Sequence, residues 1–232
     1  MEDYKTSQYT LPLAIVVAGA LIAGAIYMGD STPSASSGQA SSIQAVNTNI
    51  DLVPVSEADH IIGSPDAPVV IVEYSDTECP FCKSFHFTMK DIMSTYGNKV
   101  AWVYRHFPIV SLHLKAPKES EATECAAELG GDQTFWNYIN KIFETTNSND
   151  SLDPQELPKI AGAIGLDVSA FNTCLESGKY KDMVTQSVEE AVKAGARGTP
   201  YSIIIAKDGT KTVINGAEPI DMVKSKINAL LK

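Results

Sequence analysis

Basic charge is scarce in this chain. Eighteen Lys and Arg stand against 28 Asp and Glu in 232 residues, for a net charge of −10. Binding along a phosphate backbone needs clustered Lys and Arg, so nucleic acid is excluded as a partner. Cysteine is scarce too: four are too few for a small disulfide-framework protein, although the even number suits an oxidising compartment with all four paired. Metal-ligand spacing is lacking. His60, His86, His106 and His113 are scattered and read as structural, and Cys125 and Cys174 lie too far apart to form the second close pair of a zinc site. No glycine-rich phosphate loop is present, and Trp136 with Phe135, Tyr138 and Phe143 reads as helical core, so no cofactor is expected.

Charge is missing altogether from residues 6–29, and residues 11–28, LPLAIVVAGALIAGAIYM, are almost wholly apolar. Eighteen helical residues reach about 27 Å, close to a bilayer's hydrocarbon thickness, and Tyr9 and Tyr27 stand where interfacial aromatics belong. The expectation is a cytoplasmic tail over residues 1–10 and a transmembrane anchor over residues 11–29. A cleaved signal peptide is the competing reading, but the apolar run exceeds the usual h-region and its leader is weakly basic. Lys5 precedes the span and no Lys or Arg follows it until Lys83, which puts the N-terminus in the cytoplasm and the bulk of the chain outside. Residues 30–50 read as a flexible linker, because STPSASSGQASS within them has no charge and little to bury.

A folded domain begins near Ile50. Val69-Val70-Ile71-Val72 is a β-branched run between Pro68 and Ser75-Asp76, as in a strand covered on both faces. Cys79-Pro80-Phe81-Cys82 follows, with Pro80 where a first helical turn tolerates it. Phe81, Phe85, Met89, Ile92 and Tyr96 then recur at helical spacing up to Gly97, a C-cap signal. Residues 100–107 make a second strand, parallel to the first across a β-α-β unit. Helical patterns follow over residues 114–129, 133–145, 154–164, 168–176 and 179–194. Asp153 then Pro154 mark one start, and Gly165 and Gly195 mark ends. Strand patterns return at residues 201–206 and 212–215 around Asp208-Gly209, a hairpin signal, and an amphipathic helix covers residues 219–231.

Several stretches in this order resemble the DsbA-like branch of the thioredoxin superfamily. They are GSPDAPVVIVEYSD (residues 63–76) leading into CPFCK (79–83), VYRHFPI (103–109), Glu124-Cys125-Ala126 with Phe135-Trp136, CLESGKY (174–180) and Gly198-Thr199-Pro200. The resemblance spans about residues 52–232. It implies an α/β thioredoxin fold interrupted by an all-helical domain, with the fold's first part at residues 51–110, the insertion at 111–197 and the second part at 198–232. It also implies extracytoplasmic disulfide chemistry on protein substrates.

Thiol–disulfide exchange needs one accessible thiol that ionises near neutral pH beside a second that can resolve a mixed disulfide. A helix N-terminus favours the thiolate. Cys79 at the cap is therefore the expected nucleophile and Cys82, one turn in, the resolving thiol. Pro80 and Phe81 between them are candidate substrate contacts. The strongly oxidising relatives carry Pro-His there; Phe81 carries no charge, so a lower reduction potential is expected. Thr199-Pro200 before a strand suggests a cis bond, and the resemblance makes it the cis-Pro turn that faces the cysteines and pairs with substrate backbone. Otherwise Pro200 is an ordinary strand-start proline. Glu73 matches an acidic residue of the family that relays the Cys82 proton, or else is a strand-edge Glu in water. The resemblance pairs Cys125 with Cys174 in a structural disulfide. It further implies reoxidation by a quinone-linked membrane partner. Running the same residues backward gives an isomerase or reductase, which Thr199 keeps open. The reading from a different class is a thioredoxin-fold binding module or holdase with a merely structural CxxC.

Overall fold

The computed structural model describes residues 50–231. The expected tail, the anchor and all but the last residue of the linker lie outside the described residues. Among the described residues no helix is long and apolar enough to cross a membrane.

Five strands form one mixed sheet in the order β1-β3-β2-β4-β5: β1 (His60–Ile62), β2 (Val69–Ser75), β3 (Val100–His106), β4 (Tyr201–Ala206) and β5 (Lys211–Asn215). The central strand β2 pairs parallel with β3 and antiparallel with β4. It is buried along its whole length because both edges are paired and both faces are covered. Val69 and Ile71 point to one face, toward Phe85, Met89 and Ile92 of helix α1 (Pro80–Tyr96), while Val70, Val72 and Tyr74 point to the other. Helix α7 (Ile220–Leu230) packs Val223 and Ile227 into the first of these cores. Gly97 ends α1 with φ 54°, a backbone conformation that favours glycine, and its N–H bonds the Met93 carbonyl.

Between β3 and β4 run α2 (Ala116–Gly130), α3 (Asp132–Thr145), α4 (Glu156–Ala163), α5 (Val168–Ser177) and α6 (Lys181–Lys193). Helices α2 to α5 build a core of their own around Tyr138, Ile142, Leu157, Phe171 and the Cys125–Cys174 disulfide, while Ala191 of α6 joins the core with Val70, Val72 and Tyr74. Helix α3 faces two ways, since Phe135, Trp136, Ile139 and Phe143 join the core of the sheet and α1. That shared helix fixes the insertion against the sheet.

Helix starts depart from the sequence expectation for identifiable reasons. Helix α2 begins at Ala116 rather than 114 because the Asp150 carboxylate takes the N–H groups of Leu114 and Lys115 at 2.8 and 3.0 Å. Helix α4 begins at Glu156 rather than 154 because Asp153 Oδ1 accepts from Gln155 N–H in a local turn. Strand β1 was absent from the expectation: three residues carry no periodicity, and its place comes from tertiary contacts. His60 stacks on Phe135 at 3.6 Å and bonds Glu124, which also bonds His106 at 2.7 Å. With both histidines on it and despite burial, Glu124 is held down at about 2.

Candidate functional site

The site forms where β2 gives way to α1. Asp76, Thr77, Glu78 and Cys79 are all buried, and Cys79 is the helix cap in extended backbone (φ −78°, ψ 122°) with Pro80 at the first helical position. The Cys79 carbonyl accepts from Lys83 N–H at 3.0 Å, closing the first turn. Spacing then puts Cys82 on the same face, fully buried. Phe81 points away and stands 64% exposed. Cys79 keeps a small exposed fraction, whereas Cys82 has none.

The two thiols are electrostatically unlike. Cys79 is drawn down to about 6, first by the hydrogen bond from the Cys82 thiol, against burial, with the backbone N–H groups of Cys82 and Phe81 adding. These are the free N–H groups of a helix start, where negative charge is stabilised. Cys82 is pushed well up, first by burial and then by donating to Cys79. At neutral pH the reduced pair is therefore a Cys79 thiolate beside a Cys82 thiol.

Thr199 and Pro200 lie directly before β4, joined by a cis peptide bond. The Thr199 carbonyl is 3.5 Å from the Cys79 sulfur, so this turn faces Cys79. Glu73 is fully buried rather than in water. Trp102 Nε1 donates to its Oε2 at 2.9 Å, yet burial raises the carboxyl to about 7. Its charge is among the causes that lift Cys82. Cys125 and Cys174 are bonded to each other, with Cα atoms 5.8 Å apart, which leaves them unable to complete a metal site with Cys79 and Cys82.

Two residues of this region were not singled out from the sequence. Asp76 donates its N–H to the Cys82 sulfur at 3.4 Å, and its Oδ2 accepts from Ile109 N–H at 2.7 Å and His113 Nδ1 at 2.8 Å. The loop after β3 is thus tied to the start of α1, and it carries the exposed side chains of Val110, Leu112 and Leu114. No spacing rule pairs an Asp at a strand end with a His in a later loop; only the fold brings them together.

A family model described as thioredoxin matches residues 55–226. Among solved structures the chain is similar to DsbA2 of Pseudomonas aeruginosa, at 26% identity and TM-score 0.64, covering 76% of this chain and 96% of that one. BdbD of Bacillus subtilis in its oxidised form has the same fold, at 21% identity and TM-score 0.67, covering 78% and 96%. Curated relatives include the Na(+)/H(+) antiporter NhaA 1 of Mycolicibacterium gilvum, 31% identical over 65% of this chain and 24% of that protein. NhaA 3 of Salinispora tropica is 34% identical over 65% of this chain and 22% of that protein. The chain therefore spans about a quarter of the length of the curated relatives it matches.

Proposed function

We propose that this chain, which belongs to the thioredoxin family, is a DsbA-like thiol:disulfide oxidoreductase that introduces disulfides into extracytoplasmic protein substrates. The supporting observation is the split between a Cys79 thiol drawn down to about 6 and a buried Cys82 pushed up. A substrate thiolate attacks the Cys79 sulfur of the oxidised Cys79–Cys82 pair. Cys82 leaves and takes a proton, for which Glu73, raised to about 7, is the nearby carrier. A second substrate thiolate then attacks the substrate sulfur of the mixed disulfide, and Cys79 departs as a thiolate, the better leaving group for its low pKa. The substrate gains a disulfide and the enzyme is left reduced. The Thr199 carbonyl beside Cys79 offers extended substrate backbone a hydrogen-bond acceptor, and exposed Phe81 offers apolar contact.

A Cys79 thiol drawn down to about 6 favours the reduced state at neutral pH. Phe81 adds no charge to extend that. Reoxidation by a quinone-linked membrane partner completes the cycle, with residues 11–29 anchoring the domain at the outer face of the cell membrane. No ion transport is proposed, since the antiporter matches cover only a quarter of those proteins.

Two assays test the reading: refolding of a reduced, unfolded protein by the oxidised enzyme, and reduction of insulin by the reduced enzyme. Disulfide transfer in the first, lost in Cys79→Ser, is expected. A Cys79→Ser variant unchanged in both would leave only a binding module.

A further inference from the structure

Acidic groups crowd the start of α1. Asp76 and Glu78 are buried directly before Cys79, and Glu119 of α2 is buried against them, held up at about 8 by burial and by the Glu78 and Asp76 charges. Glu119 is thereby kept mainly protonated at neutral pH, and the charge on Asp76 and Glu78 is what opposes a thiolate at Cys79. Phe81 cannot offset it, and neither Lys83 nor Lys115 bonds these carboxylates: Lys83 Nζ donates to the Thr146 carbonyl, and Lys115 Nζ to those of Asp150 and Leu152.

His113 is the cationic group bonded to this segment. Its Nδ1 is 2.8 Å from Asp76 Oδ2, the ring is almost wholly buried, and Asp76 in turn bonds both redox residues. The Asp76 carbonyl accepts from Cys79 N–H at 3.2 Å and its N–H donates to Cys82 Sγ at 3.4 Å. One residue therefore connects the imidazole to both cysteines. Burial works to lower the His113 pKa, but the hydrogen bond and charge of Asp76 raise it, and the charges of Cys79 and Asp150 raise it further.

We propose that His113 is a positioning residue of the redox site: held by Asp76, its imidazolium is a counter-charge that favours the Cys79 thiolate beyond what the Cys82 hydrogen bond and the helix-start N–H groups supply. This rests on the exchange reading and adds a proton to it. On reduction of the Cys79–Cys82 disulfide, two substrate thiols give up two electrons and two protons as their own disulfide forms. Cys82 takes one proton, Cys79 remains a thiolate, and His113 takes the second. The imidazolium favours the thiolate and the thiolate favours the imidazolium by the same amount.

The test reads ionisation rather than turnover. In the full chain, the His113 ring titrates by NMR at higher pH in the reduced protein than in the oxidised protein. The same midpoint in both forms would overturn the proposal without needing any variant. His113→Asn keeps a donor for Asp76 but no charge. Its Cys79 alkylation midpoint should rise by about one pH unit, as expected for losing one unit charge linked to the site through Asp76. His113→Lys should bring the midpoint back down. An unchanged midpoint in the Asn variant, or one as high in the Lys variant, counts against the counter-charge. Substrate oxidation by the unaltered protein, assayed in parallel, separates the two claims: inactivity there defeats the exchange reading, whereas activity with unmoved midpoints defeats only this inference.

Discussion

At the scale of single residues, the site depends on burying ionisable groups without pairing them fully. Glu73 is the clearest case, with burial raising it to about 7 against the hydrogen bond from Trp102. A carboxyl raised in the folded state binds more protons there than in the unfolded chain. Its stability penalty is therefore absent below the ordinary carboxyl value, grows as pH rises toward 7, and is complete above it. The total is about 3 kcal/mol. Glu73→Gln should flatten that part of the stability–pH profile, measured by urea unfolding between pH 4 and 8. In the same variant, reduction of the enzyme by substrate should slow about tenfold or more at neutral pH, because Cys82 loses its proton source. Stopped-flow measurement checks this, and an unchanged rate would leave Glu73 a structural residue.

Cys79 was legible from the sequence because the two thiols, Pro80 and the helical spacing behind them define a helix start on their own. The burial of Glu73 was not, since a lone Glu at the end of an apolar run suits water equally well; Trp102 from the neighbouring strand settles it. Asp76 and His113 were illegible for a related reason. Their pairing exists only once the loop after β3 folds back on the end of β2.

At the scale of elements, β2 and α1 were readable because a continuous apolar strand and a 3.6-residue stripe are both strong patterns. What the patterns missed lay at boundaries fixed by partners from other segments, as when Asp150 holds the backbone ahead of α2. The five-helix insertion relies on the Cys125–Cys174 bond joining α2 to α5 across a sequence separation of 49. In the chain-entropy description a loop of that length contributes about 4 kcal/mol. Replacing both residues by Ala should therefore lower the thermal midpoint by several degrees, read by calorimetry. The Cys79 alkylation profile should stay where it was, because the redox pair belongs to the separate core of the sheet and α1. A shifted alkylation profile would mean that this disulfide and the redox pair are coupled.

At the scale of the whole molecule, an acidic domain has little electrostatic attraction to anionic lipid, so the proposed place at the membrane rests on the apolar run at residues 11–28. The full chain is expected in the membrane fraction and resistant to alkaline carbonate extraction. Release into the soluble fraction would remove the anchor from the proposal. The mixed five-stranded sheet and the helical insertion follow the element order read from the sequence, with β1 as the addition. In the proposed role, electrons flow from substrate thiols into the Cys79–Cys82 pair and on to its reoxidising partner. Rapid acid quenching of cells, followed by alkylation with a mass-tagged reagent, reads that direction at Cys79 and Cys82. A disulfide-forming enzyme should be found mostly oxidised, with both cysteines protected from the tag; a pair found mostly reduced and tagged would contradict the oxidase role.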